Sequence, residues 1–365
     1  MLSELYDKAL VNDKLLIQEK SSFNKCKDYL RKIKEIFNLP NDVENNAEGK
    51  KSLLSIVQKD NYVITKDIIK KMVLIYYRIK ANIPIILMGE AGCGKTSLII
   101  KLNQILNNGE TLLKKININP FTSNKDIYEK MKEIDNEAKN KKEKEILIFF
   151  DEMNTCLSLS ILTEIFINRS YNGEKFSENI RLIGACYPYR EKKKDKDIYE
   201  LDKKDNNNDN ILAYLVQPLP QSLLHYVFIF GTTNENDEME YFYNGIKKFF
   251  EDDENYLLTI TVDTIIKCQN YLKAILDPSI VSLREISIFS KCFEFFQKYY
   301  SIKYEYENET RKNKENNRGK NDIKFDKIKS IICSIYICYY IRLPDENKRN
   351  CLDYEIKPLL LKLIN

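Results

Sequence analysis

The chain has 365 residues, 43% of them hydrophobic and 31% charged, with 58 basic and 54 acidic side chains leaving a net charge of +4. That composition has room for one large or two ordinary domains of a soluble globular protein. The charges are mixed along the sequence rather than gathered in a basic stripe, which argues against nucleic-acid binding.

The longest apolar stretches are 211–230, broken by Gln217, Pro218, Pro220, Gln221 and His225, and 331–341, which is too short to span a bilayer. No transmembrane segment is expected. The start, Met1 to Asp7, is acidic and lacks a long apolar run, so a cytoplasmic location is the default expectation. The nine cysteines are scattered without a C-x-x-C pair and His225 is the only histidine, so the cysteines read as buried reduced thiols rather than zinc ligands.

In chain order, residues 1–58 read as a helical segment and linker: Tyr29, Leu30, Ile33, Ile36 and Phe37 recur at helical intervals before Leu39-Pro40 stops the pattern. Thr65 is placed to cap, with Asp67 in the first turn, an apolar helix through Ile68, Ile69, Met72, Val73, Ile75 and Tyr76. A strand at 83–88 follows. Then come a helix at 95–107, a strand at 112–118, a helix at about 124–138, a strand at 146–150, a helix at 158–168 and a strand at 181–186. Alternation of this kind predicts an α/β fold, a parallel sheet flanked by helices. Residues 191–210 and about 305–323 are polar and charged and read as inserts. Apolar spacing at about 255–300 and 324–342 is helical, which predicts a smaller all-α lid subdomain. The expected division is therefore 1–58, an α/β domain at 59–250 and a helical lid at 251–365.

The apolar run Ile83-Pro84-Ile85-Ile86-Leu87-Met88 leads into Gly89-Glu90-Ala91-Gly92-Cys93-Gly94-Lys95-Thr96, which fits the P-loop pattern G-x-x-x-x-G-K-[ST]. Three of the chain's ten glycines fall within the six positions 89–94, where backbone N–H groups must turn inward around phosphate oxygens. Residues 89–97, Ser97 included, are the candidate nucleotide-binding set. Lys95 would reach the β- and γ-phosphates, Thr96 would ligate Mg²⁺, and the following helix points its positive end at the anion.

Ile146-Leu147-Ile148-Phe149-Phe150-Asp151-Glu152 is an apolar strand ending in two acids, as a buried strand does when it delivers carboxylates to the open end of a sheet. This is a Walker B pattern. Asp151 would hold Mg²⁺ through water and Glu152 would orient and deprotonate the attacking water. Asn154 reads either as a second-layer partner of Glu152 or as a helix N-cap, in competition with Thr155 and Ser158.

Adjacent Asp and Glu at the end of this strand, a further strand and a helical C-terminal part resemble the AAA+ ATPases. More specific blocks are Asn61 to Thr65, Phe149 to Thr155, Arg181 to Arg190, Pro218 to Leu223 and Ser282-Leu283-Arg284-Glu285. With the P-loop they occur in the order seen in the mysterin family of giant AAA+ ring-finger ubiquitin ligases, over about residues 60–300. The resemblance implies an ATP- and Mg²⁺-binding AAA+ module of a concatenated ring. Its partners would be neighbouring AAA+ modules or other parts of a larger assembly, with ubiquitin-pathway proteins beyond them. It implies no ligase active site here, because clustered zinc ligands are missing from the sequence.

Arg284 matches the family's sensor 2 arginine, which reaches the γ-phosphate from the lid. Tyr62 to Ile64 would lie near the base. Arg169 and Arg190 are candidate arginine fingers. One departure stands out: where AAA+ relatives usually place Asn as sensor 1, this chain has Cys186-Tyr187-Pro188. A phenol is bulkier and its hydroxyl lies farther out, which sets the expectation that hydrolysis is slow or absent. An ATPase and a nucleotide-locked scaffold both remain open on the sequence. A GTPase switch is disfavoured, since no N-K-x-D base-reading string occurs.

Overall fold

The computed structural model describes residues 31–39, 62–107, 112–142, 144–157, 159–190, 214–231, 235–276, 280–310 and 320–364. The expected insert at 191–210 and most of the expected N-terminal helical segment lie outside these residues. A helical stretch at 31–37 is described; its Phe37 ring stacks at 4.1 Å on Tyr76, whose hydroxyl donates to the Phe37 carbonyl.

Helix α1 (Lys66–Lys80) begins at Thr65, whose hydroxyl accepts from the Ile68 amide at 3.4 Å, as the sequence predicts. Strand β1 (Ile85–Met88) starts two residues later than the apolar run. The Ile83 amide is still bonded to the Arg78 carbonyl, and Pro84 has no N–H to give a ladder. Next come α2 (Lys95–Leu106), β2 (Leu113–Asn117), α3 (Asn124–Asn140) and β3 (Ile146–Asp151). Ser123 and Asp126 form a capping box at the start of α3.

Helix α4 (Leu159–Thr163) widens into a π-helical turn at Glu164–Asn168 and is followed by a short hairpin, β4 (Ser170–Tyr171) and β5 (Glu174–Lys175), that no sequence period announced. Glu164 holds that hairpin by accepting from Ser170 Oγ and Gly173 N. Strand β6 (Ile180–Cys186) follows, and a further strand, β7 (Val227–Ile229), lies beyond a 3₁₀ turn at Gln221–Tyr226.

The five long strands pair in the order β2-β3-β6-β1-β7, every pair parallel. Their side chains alternate between two separate cores, as the two-residue period of a strand requires. Leu147 and Phe149 face Met72, Ile75, Leu98 and Leu102 of α1 and α2. Ile146, Ile148 and Phe150 face Ile127 and Met131 of α3 and Leu162 and Phe166 beyond it.

Helices α5 (Glu235–Ile246), α6 (Asn255–Ile275), α7 (Glu285–Thr310), α8 (Lys320–Cys338) and α9 (Glu346–Ile364) enclose a third core that includes Phe242, Ile265, Phe289, Phe293, Ile331 and Tyr339. The expected polar insert at 305–323 is shorter than its composition suggested. Helix α7 runs on to Thr310 and α8 starts at Lys320, because Phe293 and Ile331 commit both helices to one core and their polar ends extend from it. Tyr300 and Cys333 bridge the two helices, with Oη and Sγ 3.5 Å apart.

Gly184, at the centre of β6, has no room for a side chain: a Cβ there would stand 2.5 Å from Met153 Sδ and 3.2 Å from Phe166 Cζ. The Gly184→Ala variant should lose about 1–3 kcal/mol of stability through overpacking, read as a lower urea midpoint with an unchanged slope.

Candidate functional site

The parallel sheet sets the site at its carboxyl edge. Strand β1 ends at Met88 and β3 at Asp151, one strand apart with β6 between them, so the loop after β1 and the acids after β3 meet across the end of β6. Gly92 and Gly94 take positive φ values of 71° and 98°, and Gly94 sits as the N-cap of α2. Gly92 is needed for a second reason: a Cβ on it would collide with Ser282, from the loop before α7.

A cleft of about 500 Å³ opens here, within the range of small-molecule sites. Its walls include residues 92–97 of the loop, Asp151 and Glu152 at the end of β3, Tyr187 and, from the helical part, Arg284. The Arg284 Cδ lies 3.7 Å from where a Gly92 Cβ would stand. The sheet domain and the helical part therefore share one cleft. Tyr62, Ile68, Phe230 and Tyr241 add an apolar, aromatic surface to it. Burial, with a smaller contribution from Tyr241, pushes the Tyr62 phenol up, so it stays neutral.

At the carboxylate end, Thr96 Oγ1 donates to Asp151 Oδ2 at 3.1 Å. The same oxygen takes Lys115 Nζ, from β2, at 2.9 Å. Nothing in Leu113-Lys114-Lys115-Ile116-Asn117 marked Lys115, since a strand lysine near a sheet end has no motif. Thr96 and Asp151 are hard oxygen donors side by side, the kind of partial set that Mg²⁺ completes with phosphate oxygens and water. Lys95 is 7% exposed, with Nζ 2.6 Å from the Gly89 carbonyl and 2.8 Å from that of Glu90. Of the nine candidate nucleotide residues, 92–97 face the cleft. Gly89 and Glu90 serve Lys95 through their carbonyls, and Ala91 N donates to Tyr214 Oη at 3.0 Å.

Glu152 occupies the left-handed region at φ 59°, an uncommon conformation for a side chain of this size, and one that turns it off the strand into the cleft. At the sensor 1 position, where the sequence predicts a hydroxyl farther out than a carboxamide, Tyr187 reaches the Glu152 carboxylate. Its Oη donates to Glu152 Oε1 at 2.5 Å, and the Lys95 ammonium lies 5.1 Å from its ring centroid. Burial, the Glu152 hydrogen bond and the surrounding carboxylates push the phenol well above its usual range, so it remains a proton donor to Glu152.

Asn154 is no cap, and its link to Glu152 runs through Tyr187, which donates to that carboxylate. The turn that follows β3, at Met153–Thr155, starts from Glu152 itself. The Asn154 carboxamide instead clasps the Tyr187 backbone, with Nδ2 to the Tyr187 carbonyl at 2.8 Å and Oδ1 from the Tyr187 amide at 3.0 Å. It is 1% exposed and ties the end of β6 to the end of β3.

Arg190 pairs with Glu90 in the loop, Nε to Oε1 at 2.7 Å and Nη2 to Oε2 at 3.2 Å. Arg169 bonds Asn82 Oδ1 and the Ile180 carbonyl, both at 3.0 Å, beside the opposite, amino end of β6. Both candidate finger arginines thus have partners within this chain. Cys93 and Cys186 lie at the loop and strand ends, and burial raises the Cys186 thiol to about 12, which keeps it protonated and unreactive.

A glycine-rich loop at the end of a parallel strand, two acids at the end of its second neighbour and a helical part bringing an arginine to the same cleft give the architecture of an AAA-like α/β module with a helical subdomain. Residues 62–190 match the family model described as the RNF213 AAA domain. The chain is 27% identical over 317 residues to the E3 ubiquitin-protein ligase rnf213-beta of Danio rerio, covering 79% of this chain and 6% of that protein. It is 29% identical to the E3 ubiquitin-protein ligase RNF213 of Homo sapiens over 264 residues, and 30% identical to that of Mus musculus over 263 residues. Each of those matches covers 65% of this chain and 5% of the relative. The module resembles the AAA+ module of RNF213, mysterin, and the chain spans about one twentieth of the length of these relatives. Among the described residues, no helix is long and apolar enough to cross a membrane.

Replacing Asn154 with Ala would leave both Tyr187 backbone groups without their buried partner. The variant should lose about 1–3 kcal/mol by urea denaturation, the cost of stranding such groups.

Proposed function

We propose that this chain is an ATP- and Mg²⁺-binding module whose nucleotide occupancy sets the angle between the sheet domain and the helical lid in a mysterin-like assembly. The observation that carries the reading is the Thr96–Asp151 contact at 3.1 Å at the foot of the Lys95 loop. It gathers a phosphate cradle and a pair of metal-binding oxygens at one point, which phosphoryl transfer requires and a purely structural cleft does not.

In this reading the amides of residues 92–97 and the N-terminus of α2 bind the inner phosphates, and the Lys95 ammonium meets the outer ones. Thr96 and Asp151 hold the metal, which when bound neutralises developing charge on the phosphates. Glu152 orients the attacking water and accepts its proton. Arg284 senses the outer phosphate from the lid, and its neighbour Ser282, packed on Gly92, ties lid position to loop position. The aromatic surface of Tyr62, Phe230 and Tyr241 suits a base ring. Lys115, paired with Asp151, fixes the direction of that carboxylate. The AAA+ relatives are E3 ubiquitin-protein ligases of far greater length, which supports neighbouring AAA+ modules and ubiquitin-pathway proteins as partners.

A second reading is favoured by one observation: the 2.5 Å hydrogen bond from Tyr187 takes one of the two Glu152 carboxylate oxygens and so competes with a water for that group. A module that keeps this bond binds nucleotide and turns over slowly or not at all, as a nucleotide-locked scaffold. The two readings separate on phosphate release.

Calorimetry should show Lys95→Ala losing roughly tenfold to a hundredfold in ATP affinity, because a hydrogen bond to a charged group contributes about 1.5–3 kcal/mol. Glu152→Gln should bind ATP as the parent does and release no phosphate. Equal ATP affinity in the parent and Lys95→Ala removes the nucleotide assignment. A steady phosphate release that depends on Glu152 removes the scaffold reading.

A further inference from the structure

Tyr214 follows the charged segment and matched no motif, yet it touches the loop at a decisive point. Its hydroxyl accepts from the Ala91 amide at 3.0 Å and donates to Glu90 Oε2. Its ring stacks on Tyr187 with centroids 4.6 Å apart and planes 11° from parallel. Arg190, paired with the same Glu90 carboxylate, stands with its guanidinium 5.9 Å from the Tyr214 ring centroid. Two tyrosines from separate parts of the chain thus form one stacked unit, anchored at Glu90 on one side and at Glu152 on the other.

The place of that unit within the cradle follows from the loop itself. Inner phosphates belong to the helix N-terminus at residues 94–97, where amides and dipole converge. Outer phosphates belong to the end where the lysine ammonium lies, and Lys95 Nζ is at the Gly89 and Glu90 carbonyls, beside Ala91. The Lys95 ammonium and Glu152, which line the cleft, therefore mark its outer-phosphate end, and the Ala91 amide is the next loop donor beyond residues 92–97 on that side. The tyrosine pair engages all three: Tyr214 at the Ala91 amide, Tyr187 at Glu152 and, through its ring face, at Lys95.

We propose that Tyr214 sets how many phosphates the cradle holds: a nucleoside diphosphate binds with Tyr214 in place, whereas a triphosphate must first displace its hydroxyl from the Ala91 amide. This rests on the nucleotide reading of the cleft and adds to it the residue that discriminates between the two ligand classes. The discrimination is physical. The inner-phosphate amides are the same for both ligands, but only the longer one competes with a formed hydrogen bond and a formed ring stack.

The test compares Mg·ADP with Mg·AMP-PNP, a slowly hydrolysed triphosphate, by calorimetry on the parent, Tyr214→Phe and Tyr214→Ala. Tyr214→Phe keeps the ring and loses the hydroxyl, so triphosphate affinity should rise roughly threefold to tenfold while diphosphate affinity moves by less than about twofold. Tyr214→Ala should raise it at least as far, since the stack is lost as well. A triphosphate-to-diphosphate ratio identical in all three proteins, each melting cooperatively, overturns the proposal. Hydroxyl-radical footprinting of the parent needs no variant: AMP-PNP should increase labelling of Tyr214 and ADP should not, and equal labelling with both ligands also overturns it. If the parent binds neither nucleotide, it is the reading of the cleft that fails, and the inference fails with it.

Discussion

Every feature of the cleft depends on parallel pairing of β3 with β6 and of β6 with β1. Parallel strands end on the same edge, so their following loops converge there, and the central position of β6 fixes the spacing between the loop and the acids. The Thr96–Asp151 hydrogen bond is the local product of that constraint. Antiparallel pairing of the same strands would send the two motifs to opposite edges, and neither Lys95 nor Glu152 could serve a common ligand.

A second constraint joins the helical part to the sheet. Ser282 packs so closely on Gly92 that the loop tolerates no side chain there, and Arg284, two residues on, faces the same cleft. The loop cannot shift far without moving Ser282, and Ser282 belongs to the segment that starts α7. Packed interfaces respond to such displacement by repacking rather than by yielding smoothly. This gives the proposed coupling between nucleotide and lid a steric basis beyond the charge on Arg284.

The end of β6 carries a third. Asn154, buried and bonded to both backbone groups of Tyr187, fixes where that tyrosine leaves the strand. The consequence is a phenol donating to Glu152 in the place where the family commonly has a carboxamide. A bulky residue is accommodated there because the Tyr214 ring stacks on it and because Glu152, in its left-handed conformation, turns toward it. Glu90, Arg190 and Tyr214 form a polar cluster that steadies the start of the loop. These residues come from the ends of three loops and share no spacing in sequence.

The sequence by itself determined the local chemistry: the glycine pattern that lets the loop turn, the Thr65 cap, the alternating strands and helices, and the acidic end of β3. These are short-range matters of backbone freedom, capping and periodicity, and each is carried by neighbouring residues. It misplaced what neighbours do not decide. Pro84 shortened β1, a shared core carried α7 and α8 into a segment whose composition reads as an insert, and the β4–β5 hairpin is too short to show a period. Only the tertiary structure decided that Lys115 would meet Asp151, that Asn154 would hold Tyr187 and that Tyr214 would reach Ala91. Those contacts join residues 33 to 123 positions apart, and whether such groups meet depends on strand order and crossover path, which no local pattern encodes.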